Sequence, residues 1–234
     1  MNRIFLAVLA SLVAFAAPAA AQPQMEEQPK ESGIEAPDYI WNEMHAEKLQ
    51  ALKAKGDVVR GEITFEICQG CHRAGALGRL DGSYPRLAGQ HATVLIKQLT
   101  DVRAGRRDNP RMYPFADRHV LSPQDIADIS LYLQGLPVPA NQGQGPGDDL
   151  DRGRTLYVND CASCHGDSGE GDEGKFYPRV SGQHYAYLLR EGIEIRDGRR
   201  RNANPKMVKV VKAYSDADMR AVSDYMSRFP VSGR

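Results

Sequence analysis

Cys68-Gln69-Gly70-Cys71-His72 and its copy Cys161-Ala162-Ser163-Cys164-His165 decide how this chain is read. The copy lies 93 residues downstream, and the likeness extends well beyond it. At the same offset Tyr84-Pro85-Arg86-Leu87-Ala88-Gly89-Gln90-His91 matches Tyr177-Pro178-Arg179-Val180-Ser181-Gly182-Gln183-His184. Arg103-Ala104-Gly105-Arg106-Arg107 matches Arg196-Asp197-Gly198-Arg199-Arg200. The offset is 92 at Asp57-x-x-Arg60-Gly61 against Asp149-x-x-Arg152-Gly153, and 95 at Asn109-Pro110-Arg111-Met112 against Asn204-Pro205-Lys206-Met207. It returns to 93 at Ser122-x-x-Asp125 against Ser215-x-x-Asp218. The order of features is kept and the slips are small. The sequence therefore reads as two copies of one domain of about 80–90 residues.

The expected boundaries are residues 57–137 for the first domain and 148–234 for the second. A linker of Pro, Gly and Gln over 138–147 joins them. Residues 1–21 read as a signal peptide: Arg3, an apolar run from Ile4 to Ala17, and Ala19-Ala20-Ala21 before Gln22. An uncleaved anchor is the alternative, since Ile4 to Ala21 approaches the minimum length of a span. Residues 22–56 form an N-terminal extension. Its start, Gln22 to Pro37, is rich in Gln, Glu and Pro and is expected to be disordered. Ile40, Trp41, Met44, Leu49 and Leu52 fall at near-helical spacing, which predicts a helix over 38–55 packed on the first domain, with Asp38 as cap and Gly56 as stop.

Lys and Arg total 30, as do Asp and Glu, which argues against a strongly basic nucleic-acid binder. Aromatic residues make up only 7%, so something must supplement two small cores. No stretch alternates like a strand. Asp57 and Asp149 can cap a first helix in each repeat, Gln90/His91 and Gln183/His184 open a second, and Ser122 and Ser215 start a third. The fold class is all-α.

Cys-x-x-Cys-His has three meanings. A zinc site needs more Cys or His ligands at short spacing, and all four cysteines lie in the two motifs. A thioredoxin-type redox pair needs an α/β pattern, which is absent. Covalent haem attachment remains: two thiols one helical turn apart bind the macrocycle, and the next residue ligates iron. Two motifs in a repeat behind an export signal predict two haem c groups, held by Cys68, Cys71, Cys161 and Cys164, with His72 and His165 as axial ligands. The candidates for a sixth ligand present in both copies are Met112/Met207 and His91/His184. The methionines sit in an Asn-Pro-basic-Met context, expected to be a loop between two helices, and a thioether suits iron. The histidines read as surface or capping residues. Pro85 and Pro178 each follow the proximal histidine by 13 residues, and a proline carbonyl can accept the His Nδ1 proton, fixing the tautomer.

Each repeat resembles a class I cytochrome c. Gly61-x-x-x-Phe65 and Gly153-x-x-x-Tyr157 in the first helix resemble that family's Gly/aromatic pair, and Ile129-x-x-Tyr132 and Val222-x-x-Tyr225 its aliphatic/aromatic partner. The two repeats together resemble the two-haem cytochrome c4 type over about residues 57–229; the extension is longer than that family's usual N-terminus. The resemblance implies a single-electron carrier of the periplasm, linking a quinol-oxidising cytochrome complex to a terminal oxidase or periplasmic reductase. Any membrane association would run through those partners. The alternative is a two-haem redox enzyme, such as a peroxidase or thiosulfate dehydrogenase, which needs an exchangeable ligand on one haem. Arg196, Arg199, Arg200, Arg201, Lys206, Lys209 and Lys212 suggest a more positive face at the second haem, steering acidic partners. Arg86 and Arg179 are candidates for haem propionates.

Overall fold

The computed structural model describes residues 27–231. Helix α1 spans Ala46–Lys53, and the first domain then opens at Asp57, whose carboxylate accepts from Arg60 N and caps α2 (Val58–Phe65). A tight 3₁₀ turn, Glu66–Cys68, leads into α3 (Gln69–His72). Helices α4 (Ala92–Arg103), the single turn α5 (Tyr113–Ala116) and α6 (Pro123–Gly135) complete it. Ser122 and Asp125 form a capping box at α6. Glycine decides the packing of α2 on α6: a Cβ at Gly61 would collide with Asp128 O. The close crossing lets Phe65 meet Tyr132, with ring centroids 5.8 Å apart.

The second domain repeats this plan with α7 (Leu150–Leu156), α8 (Ala162–His165), α9 (Tyr185–Arg196), α10 (Pro205–Val211) and α11 (Asp216–Ser227). A Cβ at Gly153 would collide with Ala221 O, and Tyr157 and Tyr225 meet at 5.8 Å. Two details differ. Asp149 stands at the N-cap of α7, but its side chain makes no capping bond. And the extra residue that shifts the offset from 92 to 93 is absorbed as a π turn, Tyr157–Cys161, where the first domain has its 3₁₀ turn. The insertion is thus taken up inside the helix, and the cysteine motif keeps its register. Apart from an isolated bridge between Asp172 and Tyr177, the described residues contain no β-structure.

The repeated Tyr-Pro-Arg-x-x-Gly-Gln-His motif builds the seam between the domains. The Gln90 side chain donates to Arg179 O (3.0 Å) and accepts from Arg179 N (2.9 Å). Its counterpart Gln183 donates to Arg86 O (2.9 Å) and accepts from Arg86 N (3.0 Å). His91 Nε2 meets Glu170 O at 2.8 Å, and His184 Nε2 meets Leu77 O at 2.7 Å. Each contact and its mate are related by 93 residues, so the seam is self-complementary, like a two-fold dimer interface within one chain. The expectation of surface or capping histidines is therefore corrected. His91 and His184 are only 7% and 1% exposed, because each imidazole satisfies a carbonyl of the other domain.

The extension also departs from expectation. The helix is shorter than 38–55: α1 starts after His45, whose Nδ1 accepts from Lys48 N at 3.4 Å. Ile40 and Met44, which set the apparent helical spacing, are 64% and 46% exposed. Trp41 instead stacks on Tyr177 of the second domain at 5.9 Å, which draws the chain across the seam rather than into a helix on the first domain. Helix α1 itself contributes Ala51 to the first domain's core. The disorder expected up to Pro37 does not hold for residues 27–37. Glu31 pairs with Arg106 (2.6 Å), and Glu35 accepts from Arg201 Nε (2.9 Å). Ile34 N donates to Arg201 O (2.8 Å). The segment is a strap over both domains. The expected signal peptide and residues 22–26 lie outside the described residues.

Candidate cofactor sites

In the first domain α3 delivers Cys71 and His72 to a cavity of about 410 Å³, lined also by Cys68, Pro85, Leu95 and Met112. His72 is buried, and its Nδ1 donates to Pro85 O at 3.2 Å. Burial pushes the imidazole pKa down, with the Pro85 carbonyl pulling the other way and Arg107 reinforcing the fall. The ring is therefore neutral with its proton on Nδ1, which leaves the Nε2 lone pair for a metal. Burial, with Cys71 adding to it, pushes the Cys68 thiol up to about 11. Tyr84 stands edge-on to the His72 ring at 5.9 Å.

The second site repeats the histidine–proline bond and the apolar setting of the motif's first cysteine. His165 Nδ1 donates to Pro178 O at 3.0 Å, and burial again lowers the imidazole pKa against that carbonyl. Cys161 packs among Leu156, Tyr157, Val180 and Phe229, and burial, then Asp160 and Cys164, push its thiol up to about 12.

The two methionines are placed differently. Met112 stands on an irregular segment just before α5, and its N–H meets Asn109 O (3.0 Å) and Asn109 Oδ1 (3.2 Å). Met207 is not in a loop, as the sequence reading expected, but inside α10, partly buried against Ile195, Ala203, Val211 and Met219. The cause is local. Asn204 Oδ1 caps Lys206 N at 2.9 Å, Pro205 starts the helix, and Val208, Val210 and Val211 anchor it. The first domain has Tyr113-Pro114-Phe115-Ala116 there and stops after one turn.

The arginine-rich stretches correct a second expectation. They are pins rather than a free positive face. Arg103 is buried, with Nε donating to Ala116 O (2.5 Å) and a guanidinium nitrogen 2.5 Å from Glu47. Arg196 pairs with Asp197 (2.8 Å) and Asp216 (2.6 Å), and Arg199 with Asp197 (3.0 Å). Lys206 and Lys209 on α10 and Lys212 at its C-cap are exposed and carry no ion pair among the described residues. Arg86 is likewise committed: buried in the seam, it donates to Gly182 O (2.7 Å) and Pro139 O (3.0 Å).

The sequence reading named Arg200 as part of a positive face but missed Gln98 and Glu191, which join it to Arg107. Arg107 bonds Gln98 (3.0 Å) and Glu191 (3.0 Å), and Arg200 bonds Glu191 (2.9 Å) and Gln98 (3.2 Å). All four line the first cavity. Arg107/Arg200 and Gln98/Glu191 are both pairs at offset 93, so the repeat held the signal. Two guanidiniums facing one carboxylate leave a positive charge at the cavity rim, suited to an acidic group. An apolar cavity, two thiols one turn apart, a neutral imidazole and this rim fit a covalently attached haem.

A family model described as Cytochrome c matches residues 58–137 and again 150–229. Cytochrome c4 of Azotobacter vinelandii is 30% identical over 192 residues, covering 74% of this chain and 89% of that protein. A thiosulfate dehydrogenase electron acceptor of Stutzerimonas stutzeri (strain A1501) is 34% identical over 170 residues, covering 68% and 77%. The crystal structure of reduced recombinant cytochrome c4 from Pseudomonas stutzeri aligns with a TM-score of 0.66 at 27% identity, covering 74% of this chain and 98% of that one.

Proposed function

The chain belongs to the cytochrome c family, as a cytochrome c4-like electron carrier with two covalent haem c groups, and we propose that both irons carry one histidine and one methionine. His72 and Met112 serve the first, His165 and Met207 the second. Cys68, Cys71, Cys161 and Cys164 are the attachment points. The observation that carries this reading is the pair of His–Pro hydrogen bonds at equal spacing, His72 to Pro85 and His165 to Pro178. They give the two histidines the same tautomer and leave each one the same metal-binding nitrogen.

The haem supplies a one-electron change of iron oxidation state. The protein's part is to hold everything else still. Pro85 and Pro178 fix the imidazole tautomers. The buried cores around Phe65 and Tyr157 keep water from the sites. Arg107 and Arg200 are the residues that would hold acidic groups at the rim of the first site. Keeping the same ligands in both oxidation states minimises rearrangement on transfer.

The carrier acts in the periplasm, between a quinol-oxidising donor complex and a terminal oxidase or reductase. A relative named as an electron acceptor of thiosulfate dehydrogenase supports a carrier role and adds that enzyme type as a donor. Among the described residues no helix is long and apolar enough to cross a membrane. The exposed Lys206, Lys209 and Lys212 face acidic partners.

A second reading, a redox enzyme with an exchangeable ligand on the second haem, draws on the seating of Met207 in an apolar cluster on α10. Magnetic circular dichroism of the oxidised holoprotein separates the two. A far-red sulfur-to-iron band worth two haems, halved in Met112→Ala and in Met207→Ala, is expected. A one-haem band or a high-spin signal would bring the enzyme reading forward.

A further inference from the structure

The strap reaches the first haem site through one side chain. Gln28 Nε2 donates to Val102 O (2.6 Å) and Arg107 O (2.9 Å), while its Oε1 accepts from Asn109 N (3.0 Å). The amide head thus closes the irregular segment between the end of α4 and Met112. Asn109 in turn holds Met112 N through both its backbone oxygen and Oδ1. The strap approaches closely enough that a Cβ at Gly105 would collide with Pro29 O. Glu31 N also donates to Ala104 O (3.2 Å), so contacts with the strap run along this segment.

In the second domain the strap also bonds the segment before the methionine, through Ile34 N to Arg201 O (2.8 Å), but it does not reach the turn that carries Met207. There Met207 rides on α10, whose own cap and helical hydrogen bonds fix it. The first domain lacks that helix, and Gln28 lies outside the matched domain, which starts at residue 58. An irregular segment with few internal bonds opens at low cost unless something outside it supplies them.

We infer that Gln28 is a positioning residue for the methionine ligand of the first haem, with the N-terminal strap replacing the helix that performs this task in the second domain. The inference rests on the reading of Met112 as an axial ligand.

The test is an imidazole titration of the oxidised mature holoprotein, followed by loss of the sulfur-to-iron band, because imidazole must displace methionine to bind. In Gln28→Ala, one haem should take imidazole at a concentration lower by roughly tenfold or more, the size expected when three hydrogen bonds to the ligand-bearing segment are lost. The other haem should keep its midpoint. Hydrogen exchange should quicken at the Met112 and Tyr113 amides and stay unchanged in α6. Equal shifts at both haems would mean general loosening and overturn the inference. An unchanged titration with unchanged exchange, beside a Met112→Ala variant that has lost half the band, would also overturn it while leaving the ligand assignment intact. A Met112→Ala variant with its full band would remove the ligand assignment and the inference together.

Discussion

The two domains answer the same architectural problem with different local means. Both cross their first and last helices at a glycine, and both tie the proximal histidine to a proline carbonyl. They diverge on the methionine side. The second domain extends the Asn-Pro start into the seven-residue helix α10, whereas the first stops after one turn and borrows a strap from outside the repeat. Tight helix packing and proximal ligation tolerate little change, because each fails with a single misplaced atom. A ligand-bearing segment tolerates more, since any set of bonds that holds its backbone will serve.

The largest expected effect tests whether each half depends on its own cofactor. Cys68→Ala or Cys161→Ala, made with haem-attachment machinery present, should lose one haem and unfold only that half, as read by haem stoichiometry and far-ultraviolet circular dichroism. A fully helical, cooperatively melting half without its haem would count against cofactor-dependent cores.

Next is a charged position where the seam breaks its own symmetry. Gln98 and Glu191 are counterparts, yet only Glu191 carries charge. Burial raises its pKa, but Arg107 and Arg200 overcome this and hold the carboxyl at about 2, against an ordinary 4.5. The folded value is depressed, so the contribution is full above pH 4.5 and is lost as pH falls toward 2. Its ceiling is about 3 kcal/mol. Denaturant unfolding of Glu191→Gln should show a loss of about that size at pH 7 and a flatter stability profile between these limits. An unchanged acid profile would break the assignment.

The seam's two-fold character predicts a matched pair of smaller effects. Gln90→Ala and Gln183→Ala each remove two interdomain hydrogen bonds, worth about 1 kcal/mol apiece. Denaturation should give nearly equal losses of about 2 kcal/mol; a large inequality would show that the two arms of the seam do not carry load alike.

The smallest change in stability belongs to the exposed lysines of α10 and its C-cap. Replacing Lys206, Lys209 and Lys212 by Glu should move stability by less than about 0.5 kcal/mol for each residue. At low salt it should slow reaction with an acidic redox partner roughly tenfold, and the gap should close as salt screens the charges. Stopped-flow kinetics across ionic strength reads this directly, and no salt dependence would remove the steering role.

The sequence by itself determined the all-α class, the two-copy organisation and the cysteine and histidine attachment motifs. These rest on local spacing: helical periodicity, an offset of three from one thiol to the next, and an offset of thirteen from histidine to proline. The capping boxes at Ser122 and Ser215 were equally readable, because donor and acceptor lie within one turn. The tertiary structure decided the rest. Gln90, His91, Gln183 and His184 look like surface residues in any local window, and only contact with a segment about 90 residues away makes them buried. The apparent helix at 38–55 misled for the same reason. Trp41 belongs to Tyr177 of the second domain, and Gln28 to three backbone groups of the first. Burial of a polar group is set by whichever distant partner satisfies it, and local periodicity carries no record of that partner.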